Sequence, residues 1–348
     1  MKDRQHILVI RFSAMGDVAL ATPVLRSVDT GTDKILVLTR PAFKTFFENL
    51  ENLDVYTADL GGRHKGLRGL IRLFRDINRD HNIKLVIDLH SVMRSWLTGF
   101  LYSIKGVKVY RIDKGRKEKR DLLKGKLKKY LPHTTDRYRN VFARAGYKLG
   151  GLIIPSFIPG EAAEEEAREL ISKKVPASAA LIGVSPFARH KAKMWDIRKM
   201  KKLMGLLTEH KQVFFILFGG RDELGGLEQL AAGFDNSLVA AGRYRLDTEL
   251  AIISKTDLMI SMDSANMHLA VLSGVATVSI WGGTHPMAGF APAGDQGHLI
   301  VQTPTEDLDC RPCTVYGKGK CIRRDVKYKC MEGISPEMVY SKMTGFMP

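Results

Sequence analysis

The chain has 348 residues, enough for two domains with a hydrophobic core each, and its 45% hydrophobic content is ordinary for a globular protein. Lysine and arginine outnumber aspartate and glutamate by 54 to 37, and the resulting net charge of +17 favours anionic partners. The sequence shows no convincing secretory signal, and the uncharged stretch 264–294 contains prolines, glycines and histidines that argue against a membrane span, which predicts a cytosolic protein.

The first half of the chain alternates short apolar runs with amphipathic patterns, which predicts alternating strands and helices. Gly16 permits a tight turn after the first apolar run, and Asp17 follows at the start of a helical pattern, where the helix dipole stabilises a carboxylate. This order is typical of a doubly wound α/β domain, which we place at residues 1–160. The predicted strands are 6–12, 34–40, 54–58, 85–90 and 108–112, and the predicted helices are 18–28, 42–50, 66–80, 92–104 and 133–149.

Residues 105–129 are the most basic part of the chain, with twelve lysines and arginines against three acids. A solvated helix face is the ordinary explanation for such a run. The density of charge also favours contact with a polyanion or an anionic lipid surface. Aromatic residues are sparse here, which argues against stacking on single-stranded nucleic acid.

The second half repeats the alternation after a boundary marked by Gly150, Gly151, Pro155 and Pro159. An acidic helix at 161–172 lies in the predicted linker, 161–178. A second α/β domain then spans 179–330, and a terminal helix lies within 331–348. The predicted strands are 179–185, 213–218, 237–240, 257–262, 275–281 and, at the edge, 299–302, and the predicted helices are 196–208, 222–232, 247–255, one that begins at 264, and 336–343.

The segment 257–286 predicts a strand, a turn, a helix and a second strand, which together form a βαβ unit. Asp263 and Ser264 fall where such sheets bind anions, at the carboxyl end of a strand and the amino end of a helix. His268 lies one helical turn further on. The alternative is that Asp263 or Ser264 only caps the helix and that His268 is a half-buried structural histidine.

The four cysteines lie close together in sequence, at Cys310, Cys313, Cys321 and Cys330. In a reducing compartment they are not expected to form structural disulfides. The first pair has the spacing of half a zinc site, but the second pair lacks the compact spacing of a zinc ribbon. Reduced thiols are therefore the favoured interpretation, and structural zinc is the alternative.

Two common phosphate-binding motifs are absent from the sequence. It contains neither G-x-G-x-x-G nor G-x-x-x-x-G-K-[ST], which argues against a nicotinamide dehydrogenase and a P-loop enzyme. Asp307 and Asp309 form a D-x-D, but they lie in the cysteine segment and are discounted as a metal motif. A different loop, after the strand at 179–185, carries Arg189, Lys191 and Lys193 where an anion is expected.

Five blocks of sequence, in order, identify a family. They are ILVIRFSAMGDVALATPVLRSV, LVIDLHSVMRSWL, HTTDRY at 133–138, the Lys193-Met194-Trp195 loop, and MDSANMHLA followed by IWGGTHP. Together they resemble glycosyltransferase family 9, the bacterial lipopolysaccharide heptosyltransferases that use ADP-heptose, and the resemblance runs nearly end to end.

The resemblance implies a GT-B fold, in which two facing Rossmann-like domains enclose the active site in an interdomain cleft. It implies an enzyme that inverts the sugar configuration, needs no metal or cofactor besides its donor, and passes the sugar to an anionic glycolipid of the inner core. Contact with the inner membrane, through residues 105–129, follows as a hypothesis, whereas nucleic acid is not an expected partner. The implied general base is Asp17, the implied donor-binding residues are Lys193, Asp263, Ser264, Ala265, His268, Gly283 and Thr284, and the implied acceptor-binding residues are Ser13, Met15, Gly16, Arg94 and Arg137.

Three positions depart from the family pattern. Ala265 stands where glycine is common, His285 stands where an aspartate is common, and His90 stands where glutamine is common. Ala265 restricts how closely a phosphate can approach, and His285 puts sugar and base recognition in question. A hexosyltransferase or a sugar-nucleotide epimerase on the same scaffold stays an alternative. A nucleic-acid-binding protein is disfavoured because the charge is concentrated in one segment and no recognition module is visible.

Overall fold

The computed structural model describes residues 5–294, 297–304, 308 and 310–345. The chain divides into two compact units. The first contains the residues up to Lys114 together with Thr134–Ile158, and the second contains Gly115–His133 and the residues that follow Ile158. In the part of the chain that is described, no helix is both long and apolar enough to cross a membrane.

The first unit is built on a parallel five-stranded sheet in the order β4-β3-β1-β5-β6. A short antiparallel pair, β2 with β7, lies outside that sheet. The strands are β1 Gln5–Ile10, β2 Val28–Asp29, β3 Lys34–Thr39, β4 Leu53–Thr57, β5 Asn82–Asp88, β6 Lys108–Arg111 and β7 Lys148–Leu149, and the helices are α1 Met15–Ala19, α2 Thr22–Ser27, α3 Gly66–Asp80, α4 Met93–Ile104 and α6 Thr134–Arg144, with a 3-10 helix at Pro41–Phe46.

The central strand of this sheet is buried almost completely, as expected for a parallel sheet covered on both faces. The predicted helix at 18–28 is wrong in one respect, since two short helices, α1 and α2, occupy that stretch. Pro23 lies at the start of α2, where a backbone N–H has no partner within the helix and its absence costs nothing. Inside one continuous helix, proline would remove a backbone hydrogen bond.

The second unit is built on a parallel six-stranded sheet in the order β10-β9-β8-β11-β12-β13. The predicted edge strand at 299–302 is confirmed as β13. The strands are β8 Ala180–Ser185, β9 Val213–Leu217, β10 Ser237–Val239, β11 Leu258–Met262, β12 Thr277–Trp281 and β13 Leu299–Gln302, and the helices are α5 Arg116–Leu123, α7 Glu161–Lys174, α8 Ile197–His210, α9 Leu224–Ala231, α10 Leu246–Ile253, α11 Ala265–Leu272, α12 Lys329–Glu332 and α13 Pro336–Met343, with 3-10 helices at Lys191–Lys193, Arg221–Glu223 and Pro286–Ala288.

Both ends of this unit differ from the predicted boundaries. The acidic helix α7, predicted to lie in a linker, is fastened to the second unit. Thr248 in α10 donates to Glu166 at 2.6 Å, and Lys255, just after α10, donates to Glu164 at 2.6 Å. The terminal segment is not separate either, since α12, α13 and the link between them contribute Met331, Ile334, Val339 and Met343 to the core of the second unit.

The basic run at 105–129 is divided between the units. Residues 105–114 stay with the first unit, but α5 and the segment after it belong to the second. Leu122 and Leu131 pack there against Ala288 and Val315. The prediction that the whole run belongs to the N-terminal domain is therefore wrong, because these apolar side chains fasten the segment to residues of the second unit.

Candidate active site

The carboxyl ends of two neighbouring strands bring candidate catalytic residues together in the first unit. β1 and β5 pair in parallel with Ile10 opposite Asp88, so the segments that follow them begin at the same edge of the sheet. Asp17 lies in the first turn of α1, and its side chain is 30% exposed. Its carboxylate can therefore contact a bound molecule.

A buried arginine holds this carboxylate. Arg11 Nη2 lies 2.6 Å from Asp17 Oδ2, and its Nη1 donates to the Leu89 carbonyl at 2.6 Å. The Tyr138 ring centroid lies 5.8 Å from the guanidinium carbon, and the Tyr138 hydroxyl donates to the Asp17 carbonyl at 3.0 Å. Burial lowers the pKa of Arg11, but Tyr138 and Asp17 outweigh it, and the pKa is raised. Sequence reasoning did not single out this arginine, although a basic residue directly after a buried run is a signal.

His90 lies beside this group and is neutral. Its Nδ1 accepts from the Phe12 N–H at 3.4 Å, which leaves the ring proton on Nε2, 3.4 Å from the Ser13 hydroxyl oxygen. Burial, with Arg11 and Lys114 nearby, lowers its pKa to about 3. The loop that carries His90 is fixed by Asp88, which accepts from the His90 and Ser91 amides at 2.9 and 2.7 Å.

We expect a His90→Gln variant to lose less thermal stability on acidification than the native protein. The unfolded chain binds a proton near the usual pKa of 6.5, whereas the folded chain binds it near 3. Between those values the unfolded state holds more protons, so stability falls as pH is lowered through that window. Glutamine does not titrate, and it keeps a donor for Ser13. Measuring Tm of the native protein and of His90→Gln at about pH 7 and pH 5 checks this prediction, and a variant of the exposed His210, His210→Gln, is the control. An equal fall in Tm in all three proteins would contradict the prediction.

The predicted acceptor residues are only partly brought together. Ser13, Met15 and Gly16 lie in the same turn as Asp17, next to one another along the chain. Arg94, exposed in the first turn of α4, lies near enough to help lower the pKa of His90. Arg137 on α6 donates to the Asp113 carbonyl at 3.3 Å.

In the second unit, a buried carboxylate organises the predicted donor site. Lys193 Nζ lies 2.8 Å from Asp263 Oδ2, and the Thr284 hydroxyl donates to the same oxygen at 2.7 Å. Asp263 is 5% exposed. A carboxylate so engaged positions a lysine and a threonine, while the lysine supplies the charge that attracts an anion.

The amino end of α11 lies next to this group. Ser264 is at the N-cap position, yet its hydroxyl lies 3.2 Å from that of Ser261 and makes no capping bond to the helix. The interpretation of Ser264 as only a helix cap therefore finds no support in the geometry. Asn266 donates to the Ser185 hydroxyl at 2.8 Å and so fixes the helix against β8, with Ala265 in the first turn and His268 buried at 6%.

The loop after β12 is held by an arginine that sequence reasoning missed. Arg311 is 7% exposed and donates to the carbonyls of Gly282, Thr284 and Thr303 and to the Gln302 side chain. Burial lowers its pKa to about 10, which still leaves it a cation at neutral pH. The sequence around Arg311 gives no local signal of this role, because its partners lie in two separate segments, the loop after β12 and the end of β13.

Glycine is required at the first position of that loop. A Cβ on Gly282 would lie 2.7 Å from the Ala192 carbonyl oxygen and 2.6 Å from the Met331 side chain. The next residue, Gly283, donates to that same carbonyl at 2.8 Å. The loop that carries Thr284 is therefore packed directly against the loop that carries Lys193.

His285, one of the departures from the family pattern, is buried at 3% and neutral. Its Nδ1 accepts from the Met287 amide at 3.1 Å, and burial with Arg311 nearby lowers its pKa to about 4. Where an aspartate would add a negative charge, this side chain adds none.

All four cysteines line one cavity, which also reaches Ala192 and Gly283. They are free thiols, and burial raises the pKa of Cys330 to about 11 and also raises that of Cys313. Among the residues that the structure describes, no three His, Cys, Asp or Glu side chains are grouped so as to hold a metal ion. The zinc alternative thus has no formed ligand set there, and Asp307 and Asp309 lie outside the described residues.

Comparison with known proteins places these two groups of residues in a family context. The sequence profile of glycosyltransferase family 9 (heptosyltransferase) matches residues 72–317, whereas curated protein sequences gave no significant match.

Several solved structures are similar to the chain. The glycosyl transferase family 9 structure from Veillonella parvula is 23% identical over 98% of this chain and 96% of its own, with a TM-score of 0.74. The E. coli ADP-heptose lps heptosyltransferase II is 17% identical over 99% and 98%, with a TM-score of 0.70. The E. coli heptosyltransferase WaaC with ADP-2-deoxy-2-fluoro heptose is 16% identical over 98% and 99%, with a TM-score of 0.66. These likenesses show that the two parallel sheets have the GT-B fold.

Proposed function

The chain belongs to glycosyltransferase family 9, and we propose that it moves a heptose from ADP-heptose to an anionic inner-core acceptor of lipopolysaccharide, with inversion and without a metal. The observation that carries this proposal is the group of Lys193, Asp263 and Thr284 beside the amino end of α11. It offers a cation and helix amides to a diphosphate. The experiment that tests the proposal is a screen of nucleotide-sugar donors.

Support for ADP-heptose as the donor comes from the relatives. The family carries the description heptosyltransferase, and structures of the E. coli enzyme WaaC have been solved with ADP and with ADP-2-deoxy-2-fluoro heptose. In this chain, Ser264, Ala265, His268, Gly283 and Thr284 would contact the donor together with Lys193. Ala265 is the position where a side chain would limit how closely a phosphate approaches the helix.

The proposed reaction is a single displacement. The acceptor hydroxyl oxygen attacks the anomeric carbon of the donor from the face opposite the diphosphate, and Asp17 takes the hydroxyl proton. The new carbon–oxygen bond forms as the bond to the diphosphate oxygen breaks, and the nucleoside diphosphate leaves with the electron pair. One carboxylate acting as base suffices for this course, whereas a retaining hydrolase would need a second one across the bond.

Charge builds up on the leaving diphosphate during this step. Lys193 and the first amides of α11 would stabilise it by a fixed arrangement of positive charge and dipoles. Asp263 would act indirectly, because its Oδ2 atom already lies 2.8 Å from Lys193 Nζ and accepts from Thr284. We therefore assign Asp263 the role of a positioning residue for that lysine.

On the acceptor side, the residues around Asp17 would bind the sugar that receives the heptose. The Ser13 hydroxyl and the neutral His90 ring offer polar atoms next to the base, whereas Arg94 and Arg137 would serve anionic groups of the acceptor. Residues 105–129 would add general attraction to a negatively charged membrane surface.

A donor screen tests this proposal. We expect ADP-heptose, among ADP-, UDP- and GDP-sugars, to raise Tm the most, because a ligand that binds only the folded state stabilises it by mass action, by about 2.7 kcal/mol at a hundred times its Kd. Turnover of the best donor with a panel of core oligosaccharides then identifies the acceptor. A larger shift with a hexose donor would instead support a hexosyltransferase, the alternative favoured by neutral His285 in place of an aspartate.

A further inference from the structure

Helix α4 carries a face of large apolar side chains that points away from the core. Its fully buried residues are small or polar apart from the aromatic Tyr102, and Leu97 packs against the same core as Tyr102. The buried residues are Ser95, Thr98, Gly99 and Tyr102, and the outward residues are Met93, Trp96, Phe100 and Ile104, which are 85%, 52%, 56% and 68% exposed.

These four outward side chains form one continuous face. Their spacing of three, four and four residues places them on the same side of the helix over about three turns. A helix on a globular protein normally turns its apolar stripe to the core, and contiguous exposed apolar patches mark interaction sites. The outward face of α4 is therefore a candidate contact surface.

The neighbouring helix carries a stripe of positive charge. Arg68, Arg72, Arg75 and Arg79 of α3 are all exposed and follow the same helical spacing. α3 packs directly on α4, because the Phe74 and Tyr102 ring centroids lie 4.9 Å apart and Asn78 donates to the Tyr102 hydroxyl at 3.2 Å. An apolar face and a cationic face thus lie on adjacent helices of the first unit.

More cations border the apolar face itself. Arg94 and Lys105 lie at the two ends of α4 and are exposed, and the exposed Lys108 begins β6. The Arg111 guanidinium carbon lies 4.3 Å from the Trp96 ring centroid. A partner for this surface must accept apolar side chains and supply many negative charges over a broad area.

We propose that the outward faces of α3 and α4 dock this protein on an anionic lipid bilayer. The side chains Met93, Trp96, Phe100 and Ile104 would enter the boundary between headgroups and acyl chains, and the α3 arginines would bind lipid phosphates. A second copy of this chain fits the surface less well, because it would bring two arginine stripes and two molecules of net charge +17 together. The inference rests on the proposed function in one respect, because this docking surface would bring the protein to a lipid-linked acceptor.

Vesicle binding tests the proposal directly, with the intact protein and no sugar substrate. Trp96 is a built-in probe, since the other two tryptophans, Trp195 and Trp281, are buried at 3% and 0%. We expect the protein to sediment with phosphatidylglycerol vesicles, and Trp96 emission to shift to shorter wavelength, whereas pure phosphatidylcholine vesicles bind far more weakly.

Two double variants separate the two parts of the surface. Phe100→Ser with Ile104→Ser and Arg72→Gln with Arg75→Gln should each weaken vesicle binding on the order of tenfold or more. Ile322→Ser and Arg168→Gln are the matched controls, because both side chains are exposed in the second unit, and they should bind as the native protein does. All these positions are on the surface, so folding should be retained.

Three outcomes would overturn the proposal: no binding of the native protein to the anionic vesicles, equal binding by the Phe100/Ile104 variant, or a native dimer that the same variant dissociates in analytical ultracentrifugation. The last result would identify a self-association surface instead. Turnover of a soluble acceptor should be unchanged in both double variants. Vesicle binding therefore tests the docking surface, and turnover of the soluble acceptor tests the proposed transfer.

Discussion

An Asp17→Asn variant should lose activity by roughly 100-fold or more while it still binds the sugar nucleotide. The asparagine keeps the size of the side chain but cannot take a proton from the acceptor hydroxyl. The donor-binding residues we propose all belong to the second unit, so donor affinity should change little. Turnover measured beside donor Kd checks the result, and full activity in the variant would show that Asp17 is not the base.

The variant also removes the charge partner of Arg11, whose guanidinium is buried. A loss of activity could then come from a disturbed turn, so Tm has to be measured in parallel. Asp80→Asn is the matched control, because Asp80 is an exposed aspartate of the same unit that pairs with the exposed Arg79. We expect the control to keep both activity and stability.

A Lys193→Ala variant should lose both donor affinity and turnover, with kcat/KM reduced by about 100-fold to 1000-fold. The lysine supplies the positive charge nearest to Asp263, and the proposed diphosphate would gain negative charge as it leaves. Donor Kd and kcat/KM together check this. Lys191→Ala is the matched control, since this exposed lysine lies two residues away in the same loop with its Nζ over the Tyr328 ring. An equal fall in kcat/KM in both variants would show that the total positive charge of the loop matters, and not a specific role of Lys193.

Asp263→Asn distinguishes a positioning carboxylate from a mere negative charge. If Asp263 only repelled the donor phosphates, removing its charge would tighten donor binding. Because it holds Lys193 and Thr284, we expect weaker binding instead. This comparison uses a side chain of equal size, so a difference in packing does not confuse it.

Much of the fold was predictable because the relevant signals are local. The helix predicted at 66–80 is confirmed as α3 with the same ends, and the terminal helix at 336–343 is confirmed as α13. In both cases the apolar spacing that indicates a helix and the residues that mark its two ends are neighbours along the chain. The sequence does not predict the helix α5, because its only apolar residues are Leu122 and Leu123 at its end, which form no helical repeat.

The candidate site was predictable only in part. Asp17 and Lys193 stand in recognisable sequence blocks, and the structure places Asp17 in helix α1, after β1, and Lys193 in the 3-10 helix after β8. The roles we propose for them remain predictions. Arg11 and Arg311 were not predicted as site residues, because each acts through partners far away in sequence, such as Leu89 for Arg11 and Gly282 for Arg311.

The alternation of strands and helices, the pair of α/β halves and the family follow from the sequence alone, since apolar period, turn residues and motif blocks are properties of short segments. Three features of the molecule follow only from its three-dimensional packing. That packing placed α5 in the second unit, engaged Asp263 with Lys193 and Thr284, and turned the apolar face of α4 outward. Each of these depends on which distant side chains come into contact, and a pattern along the chain does not contain that information.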